Sequence, residues 1–433
     1  MKLVLAYLLL KLGKKKTSSD MEVTIPSHFI CPISLDLMKD PVTLSTGITY
    51  DRESIEKWIQ DGHFTCPVSN QKLSSFDQIP NHFIRRMIQS WCVDNRSNGV
   101  ERIPTPRAPV TAFEVNEICK KITRATSQGD AKRCMTLVEK VRNWAKGSER
   151  ERKCVSQNGG DCALSSTFEL FSERGTEEHS PLLEELVSVF VSIHPIGVDA
   201  ERKMGTTSSL RGLKWVLTKG SPTSRKEAAV LLGRLLSSKE ACPKELEGIE
   251  EELVRLLKEP TSAAVCKATL TIISCMMKAR SASAKFAQLG LVRILVDVLA
   301  VGDAGTSRRA LQALDRACDS QEGRARAYES DLVVPILLSR IGQAPDAASE
   351  SAVSVLWKLW KNEKREGRDV VGEIVAMGEK MNPFQKLLVL LQVGCGRDTK
   401  EKIKDLLKSL NVHRTKLGGA NPALHIRYLK IPN

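Results

Sequence analysis

The chain has 433 residues, 42% hydrophobic and 27% charged, with modest glycine (27) and proline (18) and only 5% aromatics. This excludes a collagen-like or disordered chain and argues against an all-β sandwich or an aromatic-rich sugar binder, in favour of helices packed through Leu, Val and Ala. The formal net charge is +14, and twelve cysteines are scattered without a CxxC, which excludes a disulfide framework and fits reduced thiols in a cytoplasmic or nuclear setting.

The charge is unevenly placed. Residues 1–20 carry five Lys and one Asp, residues 21–99 seven basic and nine acidic side chains, and residues 100–433 the remaining net +12. A uniformly basic nucleic-acid binder does not divide this way. Residues 1–20 hold an apolar run, Leu3–Leu10, flanked by Lys2, Lys11 and Lys14 to Lys16. The run is too short to span a bilayer and lacks a small-residue cleavage site. It is expected to be an incidental extension upstream of Met21, with weak membrane-surface attachment or a secretory signal as the alternatives.

From residue 24 to 98 the pattern is that of a compact α+β module. Val42-Thr43-Leu44, a turn at Ser45-Thr46-Gly47 and Ile48-Thr49-Tyr50 predict a short hairpin. Asp51 is the expected N-cap of a helix whose Ile55, Trp58 and Ile59 share one face, and Gly62 its terminator. After a loop, Asn81 is expected to cap a second helix presenting Phe83, Ile84, Met87, Ile88 and Trp91 on one side. His28-x2-Cys31 and His63-x2-Cys66 superficially offer four zinc ligands. A second pairing is more informative: Cys31-Pro32-Ile33-Ser34 and Cys66-Pro67-Val68-Ser69 both have the shape of a zinc-loop CPxC with serine in the second place. The segment holds only three Cys and three His, too few for two cross-braced four-ligand zinc sites. The loops are therefore expected to be held by hydrogen bonds, ion pairs and packing, without metal.

These residues carry a resemblance. Ile25-Pro26, Phe29-x-Cys-Pro-Ile-Ser, Asp40-Pro41-Val42, Ser45-Thr46-Gly47-x-Thr-Tyr-Asp-Arg, Ile55-x-x-Trp58, Gly62-His63-x-Thr-Cys-Pro and Ile79-Pro80-Asn81-x-x-Ile-Arg-Arg resemble the U-box, a RING-like fold without metal, and in particular that of plant proteins coupling it to armadillo repeats. The resemblance implies E3 ubiquitin ligase activity of the RING type, with no covalent nucleophile and no cofactor. It implies an E2-binding groove at Ile33 in loop one, Trp58 on the helix and Pro67 in loop two, plus Asn70 where some U-boxes place an arginine bridging E2 and ubiquitin. Each position has a structural alternative: Trp58 as core beside Ile55 and Ile59, Ile33 and Pro67 as shapers of their loops. Ser34, Asp36, Asp51, Arg52 and Glu56 are candidates for the polar network that replaces zinc, or are solvated surface residues. The absence of charge at Asn70 keeps open a non-catalytic armadillo adaptor with a weak U-box.

Residues 99–110, with Pro104, Pro106 and Pro109, predict a polar semi-rigid linker. From 111 to 415 the chain reads as helix after helix. Gly248-Ile249 to Leu257, Gly290-Leu291 to Leu299 and Leu332 to Leu338 recur at 41–42 residues, and Leu213 to Leu217 precedes by 40. Each is followed by a second amphipathic helix: Ala228–Leu236, Val265–Met276, Arg309–Ala317 and Ala352–Trp360. Such a period matches armadillo or HEAT arrays, whose units stack into a solenoid with a continuous core. Phe113–Ala125, Lys132–Ala145 and Pro181–Ile193 are expected as degraded repeats, Phe384–Val393 with Lys400–Leu410 as a cap, and 416–433 as an unpacked tail. Trp357 and Trp360 are expected to be packing residues. Arg308-Arg309 and Arg324/Arg326 are basic enough for an acidic ligand but lack interleaved aromatics.

The fold expected is therefore mainly α, a small α+β module followed by an armadillo-type α-solenoid. The partners expected are an E2 charged with ubiquitin and protein substrates held by the repeats. Neither nucleic acid nor an integral-membrane location is expected. Plant stress or defence signalling is the expected setting, in the cytoplasm, with the nucleus or a peripheral membrane site as alternatives.

Overall fold

The computed structural model describes residues 24–103, 110–237, 244–259, 262–342, 346–366, 369–377 and 381–416. The N-terminal extension, most of the proline-spaced segment and the C-terminal tail lie outside them. The chain forms two compact units divided after Pro109.

In the first unit, β1 (Pro41–Thr43) and β2 (Thr49–Asp51) pair antiparallel with Val42 opposite Tyr50. Gly47 turns the chain between them at φ 77°, a conformation glycine adopts without Cβ strain. A third strand not expected from the sequence, β3 (Ile79–Pro80), completes the order β2-β1-β3. It is two residues long and both are exposed, so it carries no alternation from which to predict it.

Helix α1 (Arg52–Gln60) buries Ile55, and α2 (His82–Asp94) buries Ile88 and Cys92. The expected cap of α2 is present: the Ile84 amide donates to Asn81 Oδ1 at 3.0 Å. Its amide group also donates to Thr43 and Thr49 hydroxyls at 3.2 Å each, tying the helix start to the hairpin. The expected cap of α1 is not made. Asp51 precedes the helix but offers it no side-chain bond, because its carboxylate turns back to the amides of Lys39 and Asp40 at 2.8 and 2.9 Å. Phe83 and Met87 also depart from expectation. Phe83 is 71% exposed and Met87 36%, since the inward stripe of α2 runs through Ile84, Ile88, Trp91 and Cys92. The core of this unit gathers Phe29, Cys31, Met38, Val42, Tyr50, Ile55 and Cys66. Val100 and Ile103 pack on it too, so the start of the proline-spaced segment is anchored.

The second unit is a helical stack whose buried residues form one continuous cluster from Val115 to Leu410, as a solenoid core must. Helices 131–145, 180–193, 222–236, 263–276, 304–317, 347–366 and 397–416 pack in succession as one column. Helices 112–128, 160–174 and 207–219 form a second series, taken up further on by 250–258, 291–301 and 333–340. Between these elements lie short helices at 149–157, 198–204, 280–288, 321–328 and 370–376. The unit is thus three helices in several repeats, the armadillo form, where the sequence pattern suggested two. The short helices escaped because they are brief, and some are polar as well: Gln321–Tyr328 buries only Gly323 and Ala327. Capping boxes at Thr111/Glu114 and Ser148/Glu151 begin two of the helices, and left-handed Gly248 and Gly290 (φ 92° and 78°) turn the chain where the repeat pattern recurs.

Consecutive repeats are stitched by ion pairs, Arg142–Glu185 at 2.8 Å and Lys358–Asp315 at 2.8 Å among them. Trp357 and Trp360 are half-buried against the core. The Trp357 indole donates to Asp405 at 3.3 Å and lies under Lys361, so Trp357 joins two repeats.

Candidate functional site

The two CPxS loops of the first unit are the same turn made twice, 35 residues apart. In each, the cysteine carbonyl accepts from the amide four residues on, Leu35 to Cys31 at 2.9 Å and Asn70 to Cys66 at 2.9 Å. The cysteine amide donates to the carbonyl five residues on, Asp36 at 2.9 Å and Gln71 at 2.8 Å. The fourth residue after each cysteine is left-handed, Leu35 at φ 59° and Asn70 at φ 55°. Each loop is flanked by an isolated antiparallel bridge, Ile30 with Leu37 and Thr65 with Lys72.

Neighbouring residues of β2 clasp both loops through their sulfurs. The Asp51 amide donates to Cys31 Sγ at 3.3 Å. Tyr50 Oη lies 3.0 Å from Cys66 Sγ, which also accepts from the Ser69 amide at 3.4 Å and the Thr46 hydroxyl at 3.6 Å. Burial pushes the Cys66 thiol up, but the bonds from Ser69, Tyr50 and Thr46 outweigh it and bring the pKa down to about 6. Burial, then the bond with Cys66, raise that of Tyr50. Where a zinc finger would set cysteines on a metal, these sulfurs sit among hydrogen-bond donors.

Loop one is held further by Asp51 and Arg52. Arg52 Nε pairs with Asp40 at 2.7 Å and its Nη1 donates to Gln78 at 3.2 Å. The network therefore includes Asp40 and Gln78, which sequence reasoning missed. Ser34 makes only a local contact, accepting from the Asp36 amide at 3.4 Å. Asp36 contributes its backbone carbonyl, while its exposed side chain has no hydrogen bond among the described residues. Glu56 is half-buried on α1.

Of the four expected docking residues, Ile33 and Trp58 are half-buried against the core, Pro67 is half-buried beside Cys66, and Asn70 is exposed. Trp58 binds α1 to loop two: its indole N–H donates to the Thr65 carbonyl at 2.9 Å, and its ring stacks on His63 at 4.2 Å. Asn70 has a conformational reason of its own, since Asn tolerates the left-handed region that this turn demands. The loop equivalence also shows a residue that was missed. Val68 occupies in loop two the place Ile33 holds in loop one, and is 56% exposed, with Leu35 (42%) and Phe64 (54%) near it in sequence register. The 35-residue spacing of the two CPxS motifs was the available signal.

A hydrogen-bonded two-loop module with exposed apolar residues, followed by three-helix repeats, defines a U-box protein of the armadillo class. The U-box domain model matches residues 25–97, and the plant U-box protein ARM repeat region model matches 114–423. U-box domain-containing protein 21 of Arabidopsis thaliana is 37% identical, covering 96% of this chain and 95% of its own. E3 ubiquitin-protein ligase PUB22 of the same plant is 30% identical, covering 90% and 95%. A computationally designed armadillo repeat protein for modular peptide recognition aligns over 57% of this chain and 99% of its own at 17% identity, with a TM-score of 0.40. The chain belongs to the plant U-box family with armadillo repeats, and by class it is an E3 ubiquitin transferase. Among the described residues no helix is long and apolar enough to cross a membrane.

Proposed function

We propose that Ile33, Trp58, Pro67 and Val68 receive a ubiquitin-charged E2, and that the armadillo repeats hold the protein whose lysine accepts the ubiquitin. The observation that carries this reading is the doubled loop: β2 fixes both turns through Cys31 and Cys66 while apolar side chains stay exposed on each. The three cysteines of the module, Cys31, Cys66 and Cys92, are at most 1% exposed. A sealed thiolate cannot carry an acyl group, so the low pKa of Cys66 serves the fold. Catalysis then consists of holding the E2 thioester in a reactive orientation for attack by the substrate amine. Asp51 and Arg52, with Asp40 and Gln78, are assigned to keeping loop one and α1 in place, while Ser34 and Asp36 act only within the turn of loop one.

In a reconstituted self-ubiquitination assay with the full chain, Ile33→Ala and Pro67→Ala are expected to abolish activity and Val68→Ala to reduce it, the exposed Val68→Ala retaining the wild-type unfolding temperature and all three remaining folded at the assay temperature. Full activity in Ile33→Ala and Pro67→Ala would remove the docking assignment. E2 binding by the wild type without ubiquitin transfer would instead favour the adaptor.

A further inference from the structure

A series of cations runs along the column of helices described above. Arg234 donates to the Val191 carbonyl of helix 180–193 at 3.1 Å, Arg316 to the Ser274 carbonyl of helix 263–276, and Lys358 to the Asp315 carbonyl of helix 304–317 at 2.7 Å. Each places a positive charge on the last turn of the preceding helix, where the helix dipole favours it. Arg234, Ser274, Arg316 and Lys358 follow one another at 40, 42 and 42 residues. Between helices 222–236 and 263–276 the residue in the series is therefore Ser274, too short to reach.

The missing rung leaves a cavity of about 360 Å³. Ser237, Thr271 and Ser274 line it with hydroxyls, and Arg308, Arg309 and Arg316 with guanidiniums; no carboxylate lines it among the described residues. Ser274 Oγ is buried with no hydrogen-bond partner among the described residues. Arg309 bonds only neutral acceptors, Thr271 Oγ1 and the Gly305 carbonyl, both at 3.3 Å, and Arg308 is exposed with no acidic partner among the described residues. The other basic pair singled out in the sequence differs, since Arg326 is taken up by both carboxylate oxygens of Glu329 at 3.0 Å.

We propose that this cavity is a subsite for a phosphorylated serine or threonine in a protein partner. The claim deepens the assignment of the repeats to substrate binding and rests on it. A carboxylate brings one charge and two oxygens. A phosphomonoester brings close to two charges and three acceptor oxygens, and the guanidinium fork matches it in bidentate geometry. The lining supplies three such forks and the unpartnered Ser274 hydroxyl, since Ser237 and Thr271 already donate to the Gly233 and Lys267 carbonyls; three guanidiniums exceed what one carboxylate satisfies. A nucleic-acid strand is the poorer fit, because no aromatic side chain lines the cavity to stack a base.

The test is fluorescence anisotropy with the full chain and a labelled Gly/Ala nonapeptide carrying one central phosphoserine, beside the same peptide with serine or glutamate and a single-stranded RNA oligonucleotide. The phosphopeptide is expected to bind saturably and the serine peptide not to bind. Arg308→Gln/Arg309→Gln is expected to weaken binding by about ten-fold or more. Ser274→Arg, which supplies the missing rung and fills the cavity, is expected to abolish it without lowering the unfolding temperature. Absence of saturable phosphopeptide binding, equal binding by the serine peptide, unchanged affinity in both variants, or tighter binding of RNA with the same variant sensitivity would each overturn the proposal. Self-ubiquitination measured on the same preparations separates the two claims: a failed peptide titration with ligase activity intact removes the subsite alone.

Discussion

Asp51 offers the sharpest structural test, because its place in the sequence suggests one role and its geometry another. Its Oδ1 accepts the Lys39 and Asp40 amides at 2.8 and 2.9 Å. In Asp51→Ala, water can replace the bond to the exposed Lys39 amide. The half-buried Asp40 amide beside the Arg52 ion pair is left without its acceptor. Two charge-assisted bonds of this kind amount to about 2–3 kcal/mol. In Asp51→Asn one oxygen remains to accept, and the loss falls to about 1 kcal/mol. Hydrogen exchange read by mass spectrometry on the full chain reports the local stability of each segment. Asp51→Ala is expected to speed exchange across loop one and β1 by roughly 30- to 150-fold, and Asp51→Asn by roughly five-fold. Acceleration confined to the first turn of α1, as loss of a helix cap would produce, would refute this account, as would a change below about two-fold anywhere.

Three further outcomes are expected. Leu35 is held left-handed at φ 59° with its side chain 42% exposed, so Leu35→Asn should stabilise the U-box by about 0.5–1 kcal/mol; destabilisation in the same exchange measurement would mean that the leucine packs more than its exposure indicates. Asn70→Arg should cost about 1 kcal/mol at φ 55° yet raise the rate of ubiquitin discharge by about five-fold through a charged contact, and an unchanged rate would exclude loop two from the ubiquitin interface. The Cys66 thiol titrates near 6 when folded against an ordinary 9.0. A depressed acid adds stability above its unfolded pKa and loses it as pH falls through the folded value, so U-box stability should rise from pH 6 to 9 and that rise should flatten in Cys66→Ser, as denaturant melts across the range will read.

Much of this was legible in the chain. The hairpin, α1 and the Asn81 cap follow from period and turn chemistry, and the armadillo register from Leu-rich segments spaced by 40–42 residues. Much of what escaped depends on partners distant in sequence. Asp51 stands where a cap belongs, but β2 carries it against Lys39 and Asp40, so tertiary pairing wins over local preference. The exposure of Phe83 depends on which flank of α2 meets the hairpin. The short helices of the repeats lie below the length at which a period declares itself. Asp40 and Gln78 entered the loop network only through Arg52. Val68 was visible in principle, since the two CPxS motifs differ only at that site and Ile33, yet its equivalence needed the matching backbone turns.

The central claim is that the U-box acts by orienting an E2 thioester and carries no ubiquitin itself. Single-turnover discharge of an E2–ubiquitin thioester onto free lysine, followed on non-reducing gels with the full chain present, tests it most directly. The wild type is expected to accelerate discharge, Ile33→Ala to leave it at the rate of the E2 alone, and no thiol-sensitive ubiquitin adduct to form on this chain. An adduct on one of its cysteines, or equal acceleration by Ile33→Ala, would contradict it.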